Sequence, residues 1–345
     1  MKELQAIVAA LEAAPAAETV LATLVTVEGS SYRRPGARLL ITADGRRIGS
    51  ISGGCLEEDV VARAQQVRKT GHADTVVYDT TTENDLMWGV GLGCHGVVRV
   101  LIEKLPARPA WAATLADNFA ARCDTVLAVA HRGSADAPLG TRLANPDELA
   151  GNENLFVNII RSPTALFVFG AGDDAQPITR FAHELGWHVT VADPRSAFAT
   201  AERFPKARVL VVESAESLVG TAAPGPDALA VVMTHHYVHD VPLLRSLLGR
   251  PLAYLGLLGP KKRAARILED LERESPGIAA DALHQLHAPV GLDLGADSPE
   301  QVALSIIAEM QAVLSQRSAR PLRERTRPIH DVEVFAPEVF APQKP

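Results

Sequence analysis

The sequence is poor in cysteine and has no long hydrophobic run. Its three cysteines, Cys55, Cys94 and Cys123, lie far apart and form no CxxC pair. This pattern argues against a disulfide scaffold or a zinc ribbon and favours a reducing compartment. No apolar run reaches the roughly 18 residues of a membrane span, and the first residues do not resemble a signal peptide. We therefore expect a soluble, cytoplasmic protein with no membrane partner.

The sequence also lacks an excess of positive charge. It has 34 Lys and Arg residues against 41 Asp and Glu residues, a net charge of −7. A general nucleic-acid partner is not expected, because such binding needs a basic surface that displaces counterions. With 47% hydrophobic and 22% charged residues among 345, the composition is globular. The length suits about two domains.

Residues 1–150 predict an N-terminal α+β domain that carries the cysteine motifs. Helical periodicity covers residues 4–13, and the residues from Cys55 to Thr70 predict a second helix that Gly71 ends. Runs rich in Val, Leu and Thr predict strands at 19–29, 38–42, 74–79, 95–105 and 124–130. Residues 144–162 are rich in turn formers, so we place a domain boundary there.

Residues 160–330 alternate between buried strands and helices. This alternation predicts a Rossmann-like domain with a doubly wound parallel sheet, so the whole chain is assigned to the α/β class. The last helix is expected to begin with a capping box, in which Ser298 is the N-cap, Pro299 is N1 and Gln301 is N3. The Pro-rich tail, residues 331–345, is expected to be a flexible segment.

The segment FVFGAGDDA, residues 167–175, follows a predicted strand. Gly170 permits a tight turn, Gly172 allows close approach of a ligand, and Asp193 ends the next strand, where an acid that binds ribose is expected. Asp173 and Asp174 bring two carboxylates to the first turn of the helix, where a pyrophosphate would otherwise bind. Bound NAD(P) and a Rossmann scaffold without a classical dinucleotide both remain open.

The segment SGGCLEED, residues 52–59, places a thiol at a predicted helix start. Gly53 and Gly54 allow tight backbone geometry before Cys55, and the helix dipole there would favour a thiolate. The acids at 57–59 oppose that effect, because nearby negative charge raises the pKa of a thiol. The alternative is a small buried cysteine that fills a turn.

Two further loops could bind an anion. Gly93, Cys94 and His95 belong to the glycine-dense segment GVGLGCHG, and such loops often bring backbone N–H groups close to a ligand. Arg33, Arg34 and Arg38 flank Pro35 and Gly36, and planar guanidinium groups suit phosphate or pterin-like acceptors. The alternatives are a crowded turn and a solvated surface loop.

The run THHYVHD, residues 234–240, follows a predicted strand. His235 and His239 would share one face of a helix, as metal ligands do, but a loop is expected after a strand end. The alternatives are contact of His235 and His236 with a substrate in the sheet crevice, or structural capping. The segment GPKKR, residues 259–263, could bind an anion in the same region or be exposed.

Taken together, these segments resemble the XdhC/CoxI family of accessory proteins. The resemblance rests on GSSYRRPGARLLI, GSISGGCLEEDV, GLGCHG, LFVFGAG, VTVADPR, THHYVHDVPLL, YLGLLGPKKR and PVGLDLGADSPEQVALSIIAE, which occur in family order between about residue 20 and residue 310. It implies an N-terminal cysteine-bearing domain and a C-terminal Rossmann-like domain. It also implies that Cys55 and Cys94 are the leading contacts for a ligand.

The resemblance further implies a function. A member of this family would bind molybdenum cofactor transiently, assist its sulfuration and deliver it to a molybdenum hydroxylase apoenzyme of the xanthine dehydrogenase or carbon monoxide dehydrogenase type. A cysteine desulfurase is the implied second partner, and a homodimer the implied state. We expect a maturation chaperone rather than an enzyme. The alternative is an NAD(P)-dependent oxidoreductase with His235 or His236 as the acid/base.

Overall fold

The structure is a computed structural model that describes residues 1–13, 18–79, 81, 96–133, 138–145, 152–212, 214–274, 286–327 and 329. Gly93, Cys94, His95 and the tail at 331–345 lie outside the described residues. The chain divides into two compact units after Ser162. We call Met1–Ser162 unit 1 and Pro163–Glu333 unit 2.

Unit 1 is built around a five-stranded antiparallel sheet with the order β3-β2-β1-β5-β4. Its strands are β1 (Val20–Gly29), β2 (Arg38–Ile41), β3 (Arg47–Gly49), β4 (Asp74–Asp79) and β5 (Gly96–Lys104). Helices α1 (Lys2–Ala13), α2 (Glu57–Thr70) and α3 (Ala110–Ala121) accompany it. Alternate residues of β1 pack on opposite sides: Val20, Ala22 and Leu24 join the core under α2, whereas Leu21 joins the core under α1 and α3.

A second, three-stranded sheet completes unit 1. Its strands are β6 (Thr125–Ala130), β7 (Gly140–Leu143) and β8 (Leu155–Ile160), and the order β7-β6-β8 is antiparallel. Residues 144–162 are not turn-rich throughout, because β8 lies at 155–160 and pairs with all of β6; the division after Ser162 falls at the end of this segment. The apolar run LFVNII was obscured by the turn-forming residues before it.

Unit 2 contains a six-stranded parallel sheet with the order β11-β10-β9-β12-β13-β14. Its strands are β9 (Ala165–Phe169), β10 (His188–Asp193), β11 (Arg208–Val211), β12 (Leu229–Val232), β13 (Tyr254–Leu257) and β14 (Leu286–His287). Its helices are α4 (Ala175–Glu184), α5 (Ala215–Ala222), α6 (Tyr237–Leu248), α7 (Lys261–Glu274) and α8 (Pro299–Leu314), followed by a 3-10 turn at Leu322–Glu324.

Helices cover both faces of this sheet. Side chains of α5, α6 and α7 pack on one face, and those of α4 and α8 pack on the other. The doubly wound Rossmann-like prediction is confirmed. The capping box of α8 is also confirmed, because Ser298 Oγ accepts from the N–H of Gln301 while the Gln301 side chain accepts from the N–H of Ser298.

The strand order reverses between β9 and β12, which is where parallel α/β sheets form a ligand crevice. Gly170 follows β9 with φ +122°, and a Cβ there would lie 2.5 Å from the carbonyl oxygen of Met233. The loops after β9 and β12 are thus in backbone contact. Any residue other than glycine at position 170 would be strained and would also collide with the other loop.

Candidate functional site

The loop at residues 50–55, which we call the Cys55 loop, connects β3 to α2. Cys55 is half-buried. Leu56 is the N-cap, so the thiol lies two residues before the first helical residue, Glu57. The prediction that the helix starts at Cys55 was wrong, because Gly53 and Gly54 adopt φ values of +90° and +118° and the chain turns there first.

The Cys55 loop is wrapped around the carboxylate of Glu57. This carboxylate accepts hydrogen bonds from Ser50 Oγ at 2.8 Å, Ile51 N at 3.1 Å, Ser52 N at 2.9 Å, Gly54 N at 2.9 Å, and also from Ser52 Oγ. Burial favours a higher pKa for Glu57, but the bonds from Ser52 and Ser50 outweigh it and lower the pKa to about 2. The anion that these N–H groups hold is therefore the protein's own side chain.

An exposed aromatic ring lies against the Cys55 loop. A Cβ at Gly53 would be 2.8 Å from two ring carbons of Tyr32, so only glycine leaves space for this ring. Tyr32 is 68% exposed. Sequence reasoning missed Tyr32; its position beside Arg33 and Arg34 was the available signal.

The three arginines of the neighbouring loop have different environments. Arg33 donates to Glu3 through both terminal nitrogens, one of them at 3.2 Å, whereas Arg34 is exposed. Arg38 lies in β2 and is 4% exposed, and it donates to the Gly36 carbonyl and to Asn158. Burial lowers the pKa of Arg38 to about 10. The expectation that Arg38 belongs to a surface anion site was wrong, because the strand directs this side chain into the core.

The predicted ribose acid, Asp193, ends β10 and is 1% exposed. Its carboxylate accepts from the Ala171 N–H at 2.7 Å and from Arg195 through the backbone N–H at 2.8 Å, Nε at 2.9 Å and a terminal nitrogen at 2.7 Å. Burial favours a higher pKa, but the bonds from Arg195 and Ala171 outweigh it and lower the pKa of Asp193. Asp193 therefore joins the glycine turn to the end of β10.

Both acids of the GAGDD turn are also bound. Asp173 Oδ1 accepts from Arg203 at 2.8 Å, and Asp174 Oδ2 accepts from Nε2 of His235 at 2.7 Å. The other oxygen, Asp174 Oδ1, is buried without a hydrogen-bond partner and lies 2.7 Å from where a Cβ of Gly172 would be. The carboxylate of Asp174 thus lies over the glycine turn, where a ligand phosphate would approach.

The histidine run forms the expected loop as far as His236 and is helical from Tyr237 onward. His235 has φ +61°, His236 is the N-cap of α6, and His239 lies in the first turn of that helix, because α6 begins at Tyr237. The rings of His236 and His239 are 5.8 Å apart in a T-shaped arrangement. Chiefly because of its hydrogen bond with Asp174, the pKa of His235 is raised.

Sequence reasoning missed a buried acid beside His235. Asp240 is fully buried, accepts from Thr234 Oγ1 at 2.5 Å and is paired with Arg263 of α7. Burial raises its pKa. Arg263 of the GPKKR segment therefore points inward. The available signal was an aspartate and an arginine following adjacent strands of the sheet.

Comparisons with known proteins assign the chain to a family. The model of the XdhC Rossmann domain matches residues 166–310, and that of the XdhC and CoxI family matches residues 13–79. A relative from Bacillus subtilis (strain 168), described as a probable xanthine dehydrogenase subunit, is 34% identical over 85% of this chain and 92% of its own length. The chain belongs to the XdhC and CoxI family.

Two further relatives support this assignment. The molybdenum cofactor insertion chaperone PaoD of Escherichia coli (strain K12) is 25% identical over 85% of this chain and 83% of its own length. A crystal structure described as a xanthine dehydrogenase from Bacillus halodurans has a TM-score of 0.77 and 31% identity, and the match covers 94% of this chain and 99% of that one.

In this XdhC and CoxI family member, each of the two family models covers candidate residues of one unit. The match at 13–79 includes the Cys55 loop and Tyr32, and the Rossmann match includes Gly170, Asp193 and His235. Within the described residues, no group of three or more His, Cys, Asp or Glu side chains could hold a metal ion. None of the described helices is long and apolar enough to cross a membrane.

Proposed function

We propose that this chain is an accessory protein that binds molybdenum cofactor and assists its sulfuration and its insertion into a molybdenum hydroxylase. The xanthine dehydrogenase and carbon monoxide dehydrogenase types are the proposed recipients. Family membership and the names of two relatives, one of them a molybdenum cofactor insertion chaperone and the other linked by name to xanthine dehydrogenase, support an accessory role.

The observation that carries this proposal is the half-buried thiol of Cys55 in a glycine loop beside an exposed aromatic ring. A thiolate is a soft ligand suited to a metal centre such as molybdenum, and the flat face of Tyr32 can stack on a pterin. The cofactor is cargo here, so the site needs to bind and release it. Partial burial of Cys55 suits that task by limiting access of oxidants.

The charges of the cofactor need other partners than the Cys55 loop. The N–H groups of Ile51, Ser52 and Gly54 are bound to Glu57, and Arg33 is bound to Glu3. Arg33 and Arg34, in the same loop as Tyr32, are the proposed contacts with the cofactor phosphate, which would compete with Glu3 for Arg33. Gly53, Gly54, Gly93, Cys94 and His95 remain proposed contacts.

The proposed protein partners are a molybdenum hydroxylase apoenzyme and a cysteine desulfurase that supplies sulfur. A homodimer in the cytoplasm is part of the same proposal. These partners follow from the role of a cofactor carrier, which has to receive its cargo and pass it on.

The alternative, an NAD(P)-dependent oxidoreductase, would use Gly170, Gly172 and Asp193 for the dinucleotide and His235 or His236 as the acid/base. The geometry of unit 2 favours the carrier instead. Asp193 is occupied by Arg195 and by the N–H of Ala171, and the carboxylate of Asp174 lies over Gly172. A dinucleotide would have to displace these contacts.

Co-expression with active molybdopterin biosynthesis tests the proposal. The purified protein is oxidised and its pterin is measured by fluorescence. We expect stoichiometric pterin in the wild type and in Cys123→Ala, an exposed cysteine of the same unit, and loss of pterin in Cys55→Ala. Full retention of pterin by Cys55→Ala, or retention of NAD(P) in place of pterin by the wild type, would contradict the proposal.

A further inference from the structure

We infer that Glu57 is the positioning residue of Cys55: its carboxylate, rather than a ligand, holds the loop that presents the thiol. This inference rests on the proposed function of the Cys55 site. Glu57 is 9% exposed, and all of its described partners belong to residues 50–54. It touches neither the reacting atoms nor the cofactor in this role.

The hydrogen bonds fix the chain on both sides of the cysteine. Before it, the N–H of Gly54 donates to Glu57 Oε2 at 2.9 Å. After it, the N–H of Leu56 donates to Ser52 Oγ at 2.9 Å, and the same hydroxyl donates to Glu57. The backbone of Cys55 therefore lies between two anchored N–H groups, both tied to one carboxylate.

Ser50 adds a second link of the same kind. Its hydroxyl accepts from the N–H of Gly53 at 3.1 Å and donates to Glu57 Oε1 at 2.8 Å. Gly53 and Gly54 contribute no side chain of their own, and glycines lose the most conformational freedom when they are ordered. The two serines and Glu57 together offset that loss and keep the loop in one conformation.

Glu57 differs in this respect from the acids that follow it. Glu58 is exposed and is paired with Arg47, while Asp59 accepts from Tyr78 and Arg63. Neither has a described hydrogen bond to residues 50–54. Glu58 is therefore a matched control, since it carries the same charge one residue away but lacks the contacts with the loop.

The experiment follows the alkylation of Cys55 by iodoacetamide as a function of pH, with the Cys55 peptide quantified by mass spectrometry. The same preparations are assayed for retained pterin. The variants are Glu57→Gln, Ser50→Ala and Glu58→Gln. A pH profile reports on the thiol itself, so it responds to positioning in a way that a measurement of fold stability does not.

We expect Glu57→Gln to shift the alkylation profile of Cys55 to lower pH. The substitution removes a negative charge two residues from the thiol, and negative charge raises the pKa of a thiol. Pterin retention should fall by at least about tenfold, the effect of losing one charge-assisted hydrogen bond. Ser50→Ala should show a smaller change in both measurements, and Glu58→Gln should match the wild type.

An alkylation profile of Glu57→Gln that superimposes on that of the wild type would overturn the inference. If circular dichroism shows that Glu57→Gln does not fold, the profile of Ser50→Ala decides by the same criterion. A wild type that retains no pterin would contradict the proposed function, and the alkylation profiles would still decide the role of Glu57.

Discussion

At the residue scale, the acidic side chains near both candidate sites are bound by donors of the same unit. Glu57 is held by the N–H and O–H groups of the Cys55 loop, Asp193 by Arg195, and Asp174 by His235. The position of each acid is visible in the sequence, but its partner is not. These contacts decide which backbone N–H groups remain available to a ligand, and at the Cys55 loop those of Ile51, Ser52 and Gly54 are taken.

The lowered pKa of Glu57 predicts a pH-dependent contribution to the stability of unit 1. Its pKa is 4.5 when unperturbed and about 2 in the folded protein. The contribution is therefore complete above pH 4.5 and is lost as the pH falls toward 2. We expect Glu57→Gln to reduce the free energy of unfolding of unit 1 by about 2 kcal/mol at pH 7 and by less at pH 3.

Native-state hydrogen exchange of amides in β1 measures the free energy of unfolding of unit 1, because β1 belongs to that unit alone. Glu58→Gln is the control and should change the exchange of β1 little at pH 7, because its pair with Arg47 is exposed to solvent. If wild type and Glu57→Gln differ in free energy of unfolding as much at pH 3 as at pH 7, the stability does not depend on the lowered pKa of Glu57.

At the element scale, contacts between the loops after β9 and β12 bridge the crevice of unit 2. Gly170 lies against the Met233 carbonyl, and Asp174 is paired with His235 across the point where the strand order reverses. Asp240 and Arg263 join α6 to α7 beside that pair. The parallel sheet brings these loops to one edge, so residues far apart in the sequence become partners.

The pair across this crevice predicts the titration of His235. Its pKa is raised, chiefly by the hydrogen bond with Asp174, so the stability gained from this pair is present at low pH and is lost as the pH rises through the folded pKa. We expect Asp174→Asn to lower the pKa of His235 in an NMR titration.

Asp173→Asn is the matched control for that titration, because Asp173 is paired with Arg203 rather than with a histidine. It should leave the pKa of His235 where it is in the wild type. Equal pKa values of His235 in the wild type and in Asp174→Asn would show that the pair does not form in solution.

At the scale of the whole molecule, each unit has its own hydrophobic core. Among the described residues, two core clusters draw their buried side chains from unit 2, and three draw theirs from unit 1. Ile160 of β8 lies in a unit 1 cluster with Leu127 of β6, so the last strand before the boundary belongs to the first core. We therefore propose that unit 1 extends through residue 162.

Two fragments test this boundary. Residues 1–162 should fold cooperatively, whereas residues 1–150 lack β8, which pairs with β6 along its whole length. Loss of the strand and of buried Ile160 should cost about 3–5 kcal/mol of stability. Because 1 kcal/mol corresponds to about 2–4 °C for a domain of this size, the melting temperature should fall by about 10 °C. Equal thermal melts by circular dichroism would place the boundary before β8.

The sequence by itself determined the order of most helices and strands, the Rossmann-like half, the capping box at Ser298 and the family. These features depend on local periodicity, on glycine and proline positions, and on short motifs, all of which can be read along the chain. The strand at Leu155–Ile160 was not predicted, because turn-forming residues precede its short apolar run.

Only the tertiary structure decided what the site residues contact. Arg33 meets Glu3, Tyr32 lies on Gly53, and Asp174 meets His235. Hydrogen bonds and ion pairs of this kind join residues distant in sequence, and their partners are set by how the elements pack rather than by local pattern. Even the short-range contact of Glu57 with its loop depends on two glycines with positive φ, a choice of backbone conformation that composition permits but does not impose.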